Sequence, residues 1–162
     1  MVETLAVLAM IFTAGIGFGL QALLLGAIRV RRGLLLAVQV SLLGTFAGLT
    51  AILATQQQSH RRLFLAVAAV ASAAALVFLV RGLPRYYGVV GLLGLLYLIA
   101  SAAGVSRLGV GVTVAGVVAG QMLSSILLDQ AGALGVARRQ LTAARVLGSV
   151  MVVLGVALIR LG

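Results

Sequence analysis

TLAVLAMIFTAGIGFGLQALLLGAI, residues 4–28 and followed by Arg29, is the stretch on which the fold turns. Its 25 residues carry no charge. As an α-helix it would extend roughly 37 Å, at about 1.5 Å per residue. A bilayer's hydrocarbon core is about 30 Å thick and is crossed by about 20 apolar residues. Glu3 stands where a secretory leader would have a positive start, and no A-x-A cleavage site follows. The block is therefore expected to be a retained first membrane span.

The same pattern recurs outward along the chain. Apolar blocks stopped by arginine predict spans over Thr4–Ile28, Leu34–Thr55, Leu63–Val80, Tyr86–Ser106, Leu108–Leu128 and Thr142–Leu161. Lipid offers an exposed backbone no hydrogen-bond partner, so each block must be helical. A β-barrel would show alternating ten-residue strands instead of continuous runs. The expectation is an all-α polytopic transmembrane helix bundle with six spans, residues 1–162 forming a single integral membrane domain. The third block is short, and its alanine-rich stretch Ala66–Ala75 makes it only moderately hydrophobic. The alternative has five spans, with 63–80 not crossing. In the sixth block only Val146–Ile159 is charge-free, so Arg145 and Arg160 must snorkel toward opposite headgroup layers.

Composition narrows the function. The chain is 63% hydrophobic and 9% charged, against about 25% charged in a soluble domain. Its net charge of +10 comes from arginine, with no lysine. A basic total raises nucleic acid as a partner. Here the arginines stand at the ends of apolar blocks, where cations face headgroups, and no aromatic stacking platform accompanies them. The lipid bilayer is the expected partner and nucleic acid is not. With no cysteine, disulfides, thiolate metal sites and cysteine nucleophiles are excluded. His60 lies beside Arg61 and Arg62, a poor place for a metal. No nucleophile–base pair, metal cluster or paired carboxylate falls inside a span, so neither an enzyme nor a cofactor is expected.

Orientation follows from loop arginines. With six spans, Arg29, Arg31, Arg32, Arg81, Arg85, Arg138, Arg139 and Arg145 share one side, and Arg61, Arg62, Arg107 and Arg160 the other. Eight against four places both termini outside the cytoplasm. Without a third span the split is seven against five, a bias weak enough for insertion both ways. Arg107 alone separates spans four and five, which predicts a tight hairpin. Asp129–Leu141 is the longest loop, with Gly132, Gly135 and two arginines.

Several residues could carry specific roles. Gly15/Gly19, Gly44/Gly48 and Gly116/Gly120 have G-x-x-x-G spacing, and Gly88, Gly91 and Gly94 add a small-residue face. Close helix packing is the first reading of these glycines; sliding beside a substrate cavity is the second. Gln21, Gln39, Ser41, Gln121, Ser124 and Ser125 lie within spans, and polar groups in hydrocarbon should face the bundle. Gln121 and Ser125, four apart, share a helix face. These groups serve either interhelical hydrogen bonds or a polar cavity. Asp129 closes the fifth span, as an interfacial ion pair or a gating contact. Tyr86 and Tyr87 are placed as interfacial anchors, and Tyr97 sits deeper, in a core or against a ligand.

Spans four to six have a recognisable order. Leu83-Pro84-Arg85-Tyr86-Tyr87-Gly88 leads to GLLGLLYL at 91–98 and Arg107-Leu108-Gly109, then VAGQMLSSILLDQAG at 118–132 and ARVLGSVMVVLGVALI at 144–159. This resembles the small YdcZ-like branch of the drug/metabolite transporter superfamily. The match rests most on the G-Q-x-x-x-S-x-x-x-D helix of Gly120, Gln121, Ser125 and Asp129. Gly15–Gln21 and Ser41–Thr45 also fit, so the resemblance covers about residues 5–55 and 83–161. Departures are the missing asparagine within Ala22–Gly26, tyrosines at 86 and 87 in place of the usual tryptophans, and an extra helix at Leu63–Val80 where small members generally have five spans.

The resemblance implies a half-sized carrier that pairs, with an antiparallel arrangement open to it, to enclose a cavity. The expected function is a multi-pass transporter in a bacterial inner membrane, exporting a small organic metabolite or drug-like molecule by alternating access as a homodimer. Gln21, Gln39, Tyr97, Gln121 and Ser125 are its expected substrate-binding residues. Without a carboxylate midway along a span, carboxylate-based proton coupling is not expected. The rival from another class is a non-transporting subunit that stabilises a partner complex. A passive channel would need more polar lining than these spans hold.

Overall fold

The computed structural model describes residues 2–56, 60–132, 134 and 142–161. Most of the loop expected at 129–141, including Gly135, Arg138 and Arg139, lies outside the described residues, as do the side chains of His60, Arg145 and Arg160. The described residues form α-helices and one short 3-10 helix, with no strand among them. They are α1 (Val2–Arg32), α2 (Leu34–Gln56), α3 (His60–Leu79), the 3-10 helix Arg85–Val89, α4 (Val90–Ala131) and α5 (Ala143–Leu161).

Among the described residues, four segments are long and apolar enough to cross a membrane: Glu3–Arg32, Leu34–Gln56, Arg61–Leu79 and Arg85–Ala131. The third holds the most apolar window of the four. The moderate hydrophobicity expected of it is corrected: Ala66–Ala75 is flanked by leucine, valine and phenylalanine, which restore the apolar total.

As a straight rod, the 42 residues of α4 would measure about 63 Å, twice a bilayer's hydrocarbon thickness. The rod is broken at Gly109, whose φ of 81° and ψ of 167° are non-helical. A Cβ built on Gly104 would lie 2.8 Å from Cγ2 of Thr113. Nine residues along one helix would separate these positions by about 13 Å, so the chain doubles back. The Thr113 hydroxyl donates to the Gly109 carbonyl at 2.7 Å, securing the first turn of the returning arm. The expected hairpin is present, with its turn at Gly109.

The contacts group the chain into two compact units, Met1–Leu23 with Leu96–Gly162, and Leu24–Leu95. In the first unit, Val7, Ile11 and Val117 form a buried cluster with Met10, Tyr97 and Leu108 packed against it. Gly15 of α1 lies against the Val117 carbonyl, and Gly120 of α4 against the Phe12 carbonyl. Each helix thus offers a glycine notch to the other's backbone, which permits close approach where dispersion replaces hydrophobic drive. Glu3 and Arg107 pair at 3.6 Å, both largely exposed.

In the second unit, α1 ends at Gly33, whose φ of +92° sets the turn and whose N–H donates to the Arg29 carbonyl at 2.9 Å. This is a left-handed glycine C-cap. Arg32 reaches the turn after α3: its Nη2 lies 3.0 Å from where a Cβ on Gly82 would stand. The chain therefore leaves this end through α2 and returns to it through α3. Their 23 and 20 residues give two antiparallel rods of roughly 30–35 Å. Gly44 of α2 meets Gly91 at the start of α4, a Cβ on Gly44 falling 2.9 Å from the Gly91 Cα. Beside this contact the Thr45 hydroxyl lies 2.9 Å from the Gly91 carbonyl.

Outward surfaces are apolar. Val70 is 70% exposed, Leu42 65% and Val77 61%. Patches of this kind are unsuited to water and natural in hydrocarbon.

Candidate functional site

The first unit gathers most of the expected polar residues. Gln21 on α1 is buried, as is Ser124 on α4. Gln121 and Tyr97 are half-buried. Ser124 presses against Gly19, and the Gln121 carbonyl lies 3.2 Å from where a Cβ on Gly19 would stand. The Ser124 hydroxyl donates to the Gln121 carbonyl at 3.0 Å. The absent side chain at Gly19 is thus what makes room for a hydroxyl on α4. At the preceding position on α1, the Phe18 ring tilts against Tyr97 with centroids 4.7 Å apart. The Ser124 hydroxyl and the Tyr97 ring therefore stand where α1 meets the two arms of α4.

Two residues expected to face inward do not. Ser125 is exposed, and its hydroxyl turns back to the Met122 carbonyl at 2.9 Å. A helix rotates about 100° per residue, so Ser124 takes the inner position and Ser125 cannot. Gln39 is exposed and belongs to the second unit. The buried positions of α2 are Ala37, Val40, Gly44, Thr50 and Ala54, and Gln39 falls off that face. It opens instead on a groove between α2 and α3 of about 710 Å³. The expected set therefore divides: Gln21, Tyr97 and Gln121 in one unit, Ser125 outward, Gln39 elsewhere.

The other expected positions are placed as follows. Asp129 is half-buried near the end of α4. Gly116 faces Ile11, and Gly48 faces Leu92 and Leu95. Gly91 is buried and Gly94 half-buried, whereas Gly88 faces open space. Tyr86 is 43% exposed, as an interfacial anchor would be, but Tyr87 is fully buried, with the Arg31 guanidinium 5.8 Å from its ring centroid. The pairing of Glu3 with Arg107 had no sequence signal beyond their opposite charge.

Beside the polar cluster the first unit has an apolar groove of about 420 Å³ where Val146, Ser149 and Val150 of α5 face Phe12 and Leu123. A smaller groove of about 200 Å³ reaches Ser124 past Ile16 and Leu20. These surfaces suit a largely apolar molecule with one or two hydrogen-bonding groups.

The profile of the family described as "Putative inner membrane exporter, YdcZ" matches residues 6–158. No curated protein and no solved structure matches the chain.

Proposed function

The chain belongs to this YdcZ family of inner-membrane exporters, within the drug/metabolite transporter superfamily, and from that premise we propose that it exports a small, largely apolar organic molecule by alternating access. The observation that carries the reading is the seating of Ser124 and the Gln121 backbone in the Gly19 notch, with Gln21 buried two residues further along α1 and Tyr97 packed against Phe18. Amides and hydroxyls in hydrocarbon are costly. Ser124 and Gln121 at the glycine-notched contact of α1 and α4 suit a cavity that opens as those helices tilt. The chain's two acids, Glu3 and Asp129, stand near helix ends, so the substrate is neutral or weakly charged and is not held by a carboxylate.

In this reading the chain crosses six times, α3 and α5 included. The return of α3 to the Arg32 end supports the third crossing. The eight-against-four arginine split then orients both termini away from the cytoplasm. Two copies form the working carrier, because a bundle this small is thin for enclosing a site alternately.

A substrate-free test uses the native absence of cysteine. Cysteines at Gln21 and Gln121 should react with a small membrane-impermeant thiol reagent, while one at Leu98, 52% exposed and outside the grooves, should not. Inertness of all three would favour a solid bundle, as in a non-transporting subunit, and would remove the cavity from the account.

A further inference from the structure

Residues 24–95 contain seven arginines and no acid. Five of them, Arg29, Arg31, Arg32, Arg81 and Arg85, lie on the two turns that the structure brings together, the one at Gly33 and the one after α3. All five are exposed. Arg32 stands against Gly82, and Arg31 is held over the buried Tyr87 ring. The Arg81 guanidinium lies 5.4 Å from the Phe78 ring centroid.

Phe78 is also a wall of the α2–α3 groove. That groove, about 710 Å³, is bounded by Leu42 and Leu43 on one side and Ala74, Ala75 and Phe78 on the other, with Gln39 at its rim. The small alanines on α3 leave the space, and Arg81 stands at its arginine-rich end. Around the same end, Val30, Leu34 and Leu35 are exposed apolar side chains. A hydrocarbon slot therefore runs into a cluster of unneutralised guanidinium groups.

We propose that the α2–α3 groove and the arginines at its end form a binding site for an anionic phospholipid. The acyl chain lies along Leu42, Ala74, Ala75 and Phe78, the phosphate meets Arg81 and Arg32, and the Gln39 amide is placed to donate to an ester carbonyl. Guanidinium groups bind phosphate through paired N–H donors, and basic pockets between membrane helices select anionic headgroups. A soluble anion would satisfy the arginines but leave the slot empty. A zwitterionic lipid would fill the slot while bringing its own cation toward the arginines. Only an anionic lipid satisfies both parts.

The test is lipid binding to the purified, delipidated full chain, read by native mass spectrometry and by the thermal midpoint in detergent. Phosphatidylglycerol should remain bound and raise the midpoint, phosphatidylcholine with the same acyl chains should do so much less, and inorganic phosphate should do neither. Replacing Arg32 and Arg81 by glutamine should weaken phosphatidylglycerol binding roughly tenfold or more. The same change at Arg61 and Arg62, at the far end of α3, should leave it within about twofold. Equal binding of the two lipids by the unaltered protein would overturn the proposal without recourse to any variant. So would stabilisation by phosphate alone, or an Arg61/Arg62 variant as weak as the Arg32/Arg81 one.

Discussion

Gly15→Ala tests whether the α1–α4 contact is as close as the structure has it. The added methyl would overlap the Val117 carbonyl oxygen and stand 3.1 Å from the Gln121 nitrogen. Both are backbone atoms of α4 and cannot swing aside, so the helices must separate along several residues. Overpacking of this kind costs about 1–3 kcal/mol. Opposing it, alanine is the better helix former by about 1 kcal/mol. Gly26→Ala isolates that gain, because a Cβ at Gly26 meets nothing within 4 Å on the same helix. Propensity cancels between the two variants, leaving Gly15→Ala less stable than Gly26→Ala by about 1–3 kcal/mol. The assay is unfolding of the detergent-solubilised protein followed by helical circular dichroism. At about 2–4 °C per kcal/mol for a chain this size, the midpoints should differ by several degrees. Equal midpoints would refute the close approach and, with it, the glycine-packed hinge proposed for transport.

Three further outcomes follow from the same geometry. Gly109→Ala should destabilise the hairpin by about 1–3 kcal/mol, because alanine resists a φ of 81°; an unfolding midpoint equal to that of the unaltered protein would argue against a sharp turn there. Thr45→Val removes the hydroxyl that meets the Gly91 carbonyl and should cost about 0.5–1.5 kcal/mol, measured by the same unfolding assay. Single cysteines at Val30 and Gly82 should be labelled from one face of the membrane in intact cells, and one at Thr55 from the opposite face. Val30 and Gly82 on opposite faces would mean that α2 and α3 do not form a crossing hairpin.

How much was legible can be judged from particular elements. The helices at the α1, α2 and α3 positions agree with the expected spans to within a few residues, because apolar length against bilayer thickness is a one-dimensional property. The α4 hairpin was visible too, since Arg107 cannot sit midway through a 42-residue membrane rod. Which way a side chain faces was less readable. Helices apolar on all sides have no polar stripe to show their inner face, so Gln39 and Ser125 were assigned inward by chemistry alone. Ser124 against Ser125 is a difference of one residue, invisible without the Gly19 notch on the neighbouring helix.

Amino-acid order alone determined that this is a helical membrane protein with arginines at the water line, because burying charge in hydrocarbon is costly wherever the helices pack. Its motifs also pointed to the family. Only the tertiary structure decided which glycine meets which backbone, that α3 returns to the Arg32 end, and that Arg81 guards the slot holding Gln39. Those facts depend on the rotation and pairing of rods whose surfaces are nearly uniform in polarity, and they are set by steric fit between distant segments.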